Sequence, residues 1–297
     1  MNLFSISQLA QYSGIKPHTI RIWEQRYNAL SPNRTKGNTR YYDNSQLRRL
    51  LNIVSLMESG HKVSELGPMS DKKIFQLLEE ITNWDLSNDP TEYFISQLIA
   101  AGMSYDEAHF EKTFSHCLLR FGMNSTYIKI IYPVLDRIGF MWATDKIPPT
   151  QEHFISNLIR QKLFTAIDYI PAANSSADSW LLFLPENEFH EIGLLFAYYL
   201  IRLSGRKALY LGVNVPQQSL VAAVNDSTPK NLLFFLVHND FPDQVQSYLN
   251  GLSTAFASEN IYFSGNQNLI RQLAPGKNIQ WLQSVEDLQQ LLPYSHV

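Results

Sequence analysis

A chain of 297 residues with 45% hydrophobic content can fill two or three cores, and its sole cysteine, Cys117, excludes an internal disulfide and any thiolate cluster for zinc, mercury or an iron–sulfur centre. The net charge of −3 hides an asymmetry: residues 1–70 hold nine Lys and Arg against four Asp and Glu, a balance of +5, and the totals of 24 and 27 leave 15 against 23, or −8, for residues 71–297. Contact with a phosphate backbone therefore belongs to the first seventy residues, because the acidic remainder would repel it.

No apolar run reaches the roughly 18 residues of a membrane span, and Met1-Asn2-Leu3-Phe4-Ser5 lacks the charged flank and apolar stretch of a signal peptide, so a cytoplasmic protein without a membrane partner is expected. Ser5 is a capping residue, Ile6, Leu9 and Ala10 follow at helical spacing, and Gly14 stops this first short helix. Pro17 suits the first turn of a second helix, with Ile20, Trp23 and Tyr27 on one side and His18, Arg21 and Arg26 left for another. Trp23 and Tyr27 are read as core residues. The basic, turn-rich stretch from Pro32 to Tyr42 ends in aromatic strand residues, the pattern of a two-stranded wing. Asp43 can cap a third helix, which Leu47, Leu50, Leu51, Val54 and Leu56 hold to a core until Gly60, and Val63–Leu66 begins a fourth.

This ordered set (Arg21-Ile22-Trp23-Glu24-Gln25-Arg26-Tyr27, then Pro32, Arg34-Thr35 and Arg40-Tyr41-Tyr42) resembles the DNA-binding domain of the MerR family over roughly residues 3–70. The resemblance implies a winged helix-turn-helix in which Lys16, His18, Thr19, Arg21 and Arg26 face the major groove or its phosphates, while Arg34, Lys36, Arg40 and Tyr41 serve the wing. Guanidinium groups on a recognition helix can bond guanine edges or phosphates in bidentate fashion, which agrees with that assignment. A double-stranded operator is the expected partner. The helix expected over 71–82 is too short for the long coiled coil through which many members of that family dimerise, so the contact of a homo-dimer or higher oligomer must lie elsewhere.

Asn83–Pro90, ending in Asn88-Asp89-Pro90, reads as a linker. Four helical patterns at 91–101, 104–121, 124–142 and 150–169, punctuated by Gly102, Gly122 and Pro148-Pro149, predict a four-helix bundle. After a linker over Ala172–Ser179 the texture alternates: strands at Trp180–Leu184, Lys207–Leu211, Asn231–Val237, Asn260–Phe263 and Ile279–Leu282, each followed by a helix-length stretch. Such alternation predicts a doubly wound parallel sheet, and uninterrupted apolar strands such as Leu232 to Val237 fit a sheet covered on both faces. The expected organisation is a multidomain α plus α/β chain. It comprises a DNA-binding domain over 1–70, a connecting helix and linker over 71–90, a bundle over 91–171 and a flavodoxin-like domain over 179–297.

In a doubly wound sheet the ligand lies beyond the carboxyl ends of the strands, and the first such loop is Pro185 to Gly193. A histidine there can ligate a metal through one ring nitrogen while an acid such as Glu188 accepts a bond from the other. Glu188-x-His190-x-x-Gly193 resembles the lower-ligand signature of cobalamin-binding domains, and Trp142 followed by Glu152-His153 resembles the cap helix of cobalamin-based light-sensing repressors, which join the three regions in this order. That resemblance implies His190 as cobalt ligand, Trp142 shielding the upper face, and Glu152 and His153 lining the cap or a subunit contact. The chain departs from the pattern at three points. Cobalamin domains carry a small Ser-x-Leu on the third strand and a Gly-Gly on the fourth, which admit the nucleotide tail; here stand Phe235-Leu236-Val237 and Ser264-Gly265. Light sensors of the group carry a histidine directly after the cap tryptophan; here stands Ala143, so light sensing through two histidine ligands is not expected. Three readings follow: a regulator sensing cobalamin or another ligand, a cofactor-free adaptor that binds a protein, and a corrinoid methyltransferase component. No nucleophile–base pair, phosphate loop or catalytic carboxylate pair is present in the pattern, so no enzymatic activity is expected.

Overall fold

The computed structural model describes residues 4–34, 38–58, 60–74, 76–77, 91–143, 149–173, 178–237 and 242–292. Two compact units result, Met1–Leu158 and Ile159–Val297.

In the first unit, α1 (Ile6–Ser13) begins at a reciprocal cap in which Ser5 and Gln8 bond each other's backbone, and α2 (Pro17–Tyr27) begins with proline in its first turn, where no N–H is needed. The wing is an antiparallel pair, β1 (Asn33–Arg34) and β2 (Arg40–Tyr41), extended by a bridge from Tyr42 to Phe4. Helix α3 (Asn44–Glu58) buries Leu47, Leu50, Leu51, Val54 and Leu56 as their spacing predicts, and the short α4 (Val63–Leu66) follows. Residues 71–74 and 76–77 of the expected helix over 71–82 are helical; its remainder and the expected linker over 83–90 lie outside the described residues.

The bundle consists of α5 (Thr91–Ser104), α6 (Glu107–Thr126, kinked at Gly122), a π turn (Tyr127–Ile131), α7 (Tyr132–Ala143) and α8 (Pro149–Asp168). Helix α5 is buried from Phe94 to Met103 because it has neighbours on opposite sides, with α3 on one and bundle helices on the other. Three buried or half-buried polar side chains link α6, α5 and α3 in series: the His109 Nε2–H donates to Gln97 Oε1 at 2.9 Å, and Gln97 Nε2 donates to Asn52 Oδ1 at 2.8 Å. Burial holds the His109 imidazolium below its usual range, opposed by Asp106 and assisted by Arg48 and Lys112. A histidine that resists protonation in the fold but not in the unfolded chain makes stability fall as pH drops below the unfolded value near ~6.5. We therefore expect thermal stability to decrease between about pH 7.5 and about pH 5, and the decrease to shrink in His109→Gln, which keeps a donor to Gln97. An identical pH profile in the variant would refute this. Cys117 is buried on α6, and burial pushes its thiol up to about 12, so it is an unreactive core side chain.

The second unit is a five-stranded parallel sheet in the order β4-β3-β5-β6-β7, built from β3 (Trp180–Pro185), β4 (Ala208–Val215), β5 (Asn231–Leu236), β6 (Asn260–Gly265) and β7 (Ile279–Trp281). The connections are α9 (Ile192–Leu203), α10 (Gln217–Ser227), α11 (Pro242–Ala255) and α12 (Gln267–Ile270), with α13 (Val285–Leu291) closing the chain. Leu232, Phe234 and Leu236 pack with Leu220 and Val224 of α10 and Val245 and Leu249 of α11. Strand residues alternate between faces, so Leu233 and Phe235 belong to the opposite face, where α9 lies. Because the sheet order reverses between β3 and β5, the loops after these two strands flank the switch point where such folds hold ligands. At the end of β6, Gly265 has φ 138, and a Cβ there would lie 2.0 Å from the Leu236 carbonyl oxygen, so only glycine fits. Among the described residues no helix is long and apolar enough to cross a membrane.

Candidate functional site

Helix α2 divides its residues as the spacing predicts at Ile20 and Trp23, whereas Tyr27, expected in the core, is half-buried. Ile20, Trp23 and Glu24 are buried, while His18, Arg21 and Arg26 are exposed, Thr19 is half-exposed, and Lys16 stands exposed at the amino-terminal cap. The helix thus presents cations along one side and anchors the other in the core. Across the wing, Arg34 and Arg40 sit directly opposite each other, an arrangement that repels unless an anion lies near. Arg34 donates to Asn38 Oδ1 at 2.6 Å, which braces the wing tip, and Tyr41 beside it is half-exposed. Lys36 lies outside the described residues.

The sequence reading missed Glu24. Its carboxylate is 6% exposed, accepts a hydrogen bond from the Tyr42 hydroxyl and lies 3.4 Å from Arg40 Nε, so it ties the recognition helix to the second wing strand. Its position four residues after Ile20, on the apolar side of the helix, is the signal that could have found it. Arg49 was also missed. It is 11% exposed, donates to the carbonyls of Ala29 (2.7 Å), Gly67 (2.7 Å) and Met69 (2.8 Å), and pairs with Asp71. A basic residue on the amphipathic α3 gives no hint that it is buried.

At the carboxyl end of β3, the structure brings Glu188, His190 and Gly193 together. Glu188 is buried, and its carboxylate oxygen Oε1 accepts from the backbone N–H of Phe189 (2.9 Å), the N–H of His190 (3.0 Å) and His190 Nδ1–H (2.6 Å). Its other oxygen accepts from the Val237 N–H at 2.9 Å, which ties the loop after β3 to the end of β5. A carboxylate on Nδ1 fixes the tautomer that leaves Nε2 as the basic ring nitrogen, and the His190 side chain is 48% exposed. Beside it, Glu191 pairs with Arg160 at 2.9 Å and accepts from the Tyr210 hydroxyl at 2.9 Å; burial and Glu191 push that hydroxyl up, so it stays a donor.

Phe235 fills the space behind Gly193. A Cβ on Gly193 would lie 2.9 Å from Phe235 Cε1 and 3.2 Å from Cδ1, so the ring rests on the first turn of α9 and the glycine permits that approach. Phe235 and Ser264 are register partners on β5 and β6, and the Ser264 hydroxyl donates to the Leu282 carbonyl at 2.8 Å.

The remaining expected site residues belong to the first unit. Trp142, at the end of α7, is 45% exposed despite its size. Glu152 and His153 pair at 2.7 Å in the first turns of α8, where Ser156 also donates to Glu152 at 2.5 Å.

An exposed basic helix with a two-stranded wing, a helical bundle and a parallel sheet ending in a carboxylate-supported histidine define a modular DNA-binding regulator. Residues 4–72 match the family described as MerR HTH family regulatory protein, and residues 94–166 match the B12 binding domain family. The chain is thus a MerR-type DNA-binding regulator that carries a B12-binding domain. It is homologous to the HTH-type transcriptional repressor CarH of Myxococcus xanthus, 27% identical over 224 residues that span 74% of each chain. With the HTH-type transcriptional repressor CarA of the same organism, identity is 22% over 262 residues, 88% of this chain and 85% of the relative. In fold it is similar to the monomethylamine corrinoid protein of Methanosarcina barkeri, with a TM-score of 0.55 and 15% identity over 68% of this chain and 98% of that one.

Proposed function

We propose that the chain acts in the cytoplasm as a homo-oligomer that binds a duplex operator through α2 and the wing, with a corrinoid at His190 as the signal that alters this binding. The observation that carries the operator reading is the division of α2: Ile20, Trp23 and Glu24 buried on one side, with His18, Arg21 and Arg26, and Lys16 at the cap, exposed. Lys16, Arg21 and Arg26 meet phosphates or guanine edges, His18 and Thr19 meet bases or the backbone, and Arg34, Lys36, Arg40 and Tyr41 hold the flanking minor groove or its phosphates. A corrinoid bound here would supply a cobalt that takes a nitrogen donor. His190 Nε2 would be the nitrogen that holds it, Glu188 would orient the imidazole, and Trp142, Glu152 and His153 would serve the cap or a subunit contact. The chain works by binding rather than by catalysis.

A second reading, a cofactor-free adaptor whose α/β domain binds a protein, draws support from Phe235 lying against Gly193. Selection of duplexes from a random pool with the full chain tests the operator reading. It should enrich one motif, present as a repeat in keeping with an oligomer. Recovery of no common sequence would refute it.

A further inference from the structure

Phe235 sits where incoming ligand and packed core compete. It is the last but one residue of β5, and two residues later the Val237 N–H holds Glu188, the acid that orients His190. Its ring presses on Gly193, three residues after His190. Its register partner Ser264 already donates to Leu282, so both side chains at this end of β5 and β6 are engaged within the domain. A histidine donor in the loop after β3 and a ring filling the space behind Gly193 suit different parts of a corrinoid. The flat corrin ring needs only the histidine, whereas an inserted nucleotide loop needs the space that the Phe235 ring fills. Placing a base there would require the Phe235 ring to leave its packing, and close-packed interiors give up such a ring at a cost of whole kcal/mol.

We infer that Phe235 determines which corrinoid this domain takes: a corrin ring without a nucleotide loop, cobalt on His190 Nε2, in preference to complete cobalamin. The inference rests on the corrinoid reading above and narrows it to a chemical class. Phe235 packs on Gly193, and the role assigned to it is exclusion.

The full-length protein, titrated in the dark with aquocobinamide and separately with hydroxocobalamin and followed by its visible spectrum and co-elution on gel filtration, tests this. Wild type should retain cobinamide at least ~10-fold more tightly than cobalamin, and Phe235→Ser should raise cobalamin affinity at least ~10-fold while leaving cobinamide nearly unchanged. Phe235→Ala serves if the serine variant fails to fold, as judged by circular dichroism. His190→Ala should weaken cobinamide and abolish the spectral change that marks a nitrogen ligand on cobalt. Wild type that binds cobalamin as tightly as cobinamide overturns the inference and leaves the corrinoid reading standing. Wild type that binds neither also overturns it: cobalamin uptake by the serine variant would then preserve the corrinoid reading, and its absence from the folded variant would remove both.

Discussion

Replacing Arg21 and Arg26 together with alanine should weaken operator binding about 100-fold at moderate salt, since each charge-assisted contact to a base edge or phosphate contributes roughly 1–3 kcal/mol. Both side chains are exposed on α2, while Ile20 and Trp23 anchor the opposite side, so the fold should survive the substitution. The salt dependence separates the possible roles. If both arginines neutralise phosphates, the slope of log affinity against log salt should become shallower by about 2; if both read bases, affinity falls with a smaller change of slope and sequence preference relaxes. Titration of the selected operator by fluorescence anisotropy at several salt concentrations measures both. Unchanged affinity and slope would remove these residues from the interface.

Arg49→Ala should cost about 3–5 kcal/mol of stability without touching any surface assigned to DNA, because it strands three backbone carbonyls and Asp71 after removing a nearly buried guanidinium. For a unit of this size that corresponds to a fall in Tm of roughly 10 °C. Arg49→Lys should recover less than half, since one ammonium cannot reproduce a planar fork that reaches acceptors after α2 and after α4 at once. Chemical denaturation followed by circular dichroism gives the numbers. A loss below about 1 kcal/mol would show that these carbonyls find other partners.

The elements were legible because their patterns are periodic. Ile20 and Trp23 are spaced for a helix face and are buried on it, and the apolar run from Leu232 became a central strand that ends at Leu236, one residue short of the expected Val237. Boundaries shifted where local chemistry extended an element: β4 runs to Val215 rather than Leu211, because edge-strand pairing with β3 continues past irregularities at Phe183 and Pro185. The histidine loop was legible as a motif, since Glu188, His190 and Gly193 are close in sequence. The Val237 N–H that completes the Glu188 carboxylate was not, because a backbone donor has no letter of its own. Glu24, Arg49 and the His109, Gln97 and Asn52 series were hidden for a related reason. Each is a polar residue whose burial depends on partners 12 or more positions away, and charge patterning assigns such residues to solvent.

The hydrogen-bond series from His109 through Gln97 to Asn52 has a direction, donor to acceptor at each step. An amide that turns over in the middle offers its nitrogen to His109 and its oxygen to Asn52, so both links survive only if the imidazole changes tautomer and Asn52 turns over as well. Drift at these positions should consequently be concerted: descendants that alter one of the three should be found to have altered a second, and a lone replacement should loosen the seating of the reading head on its support.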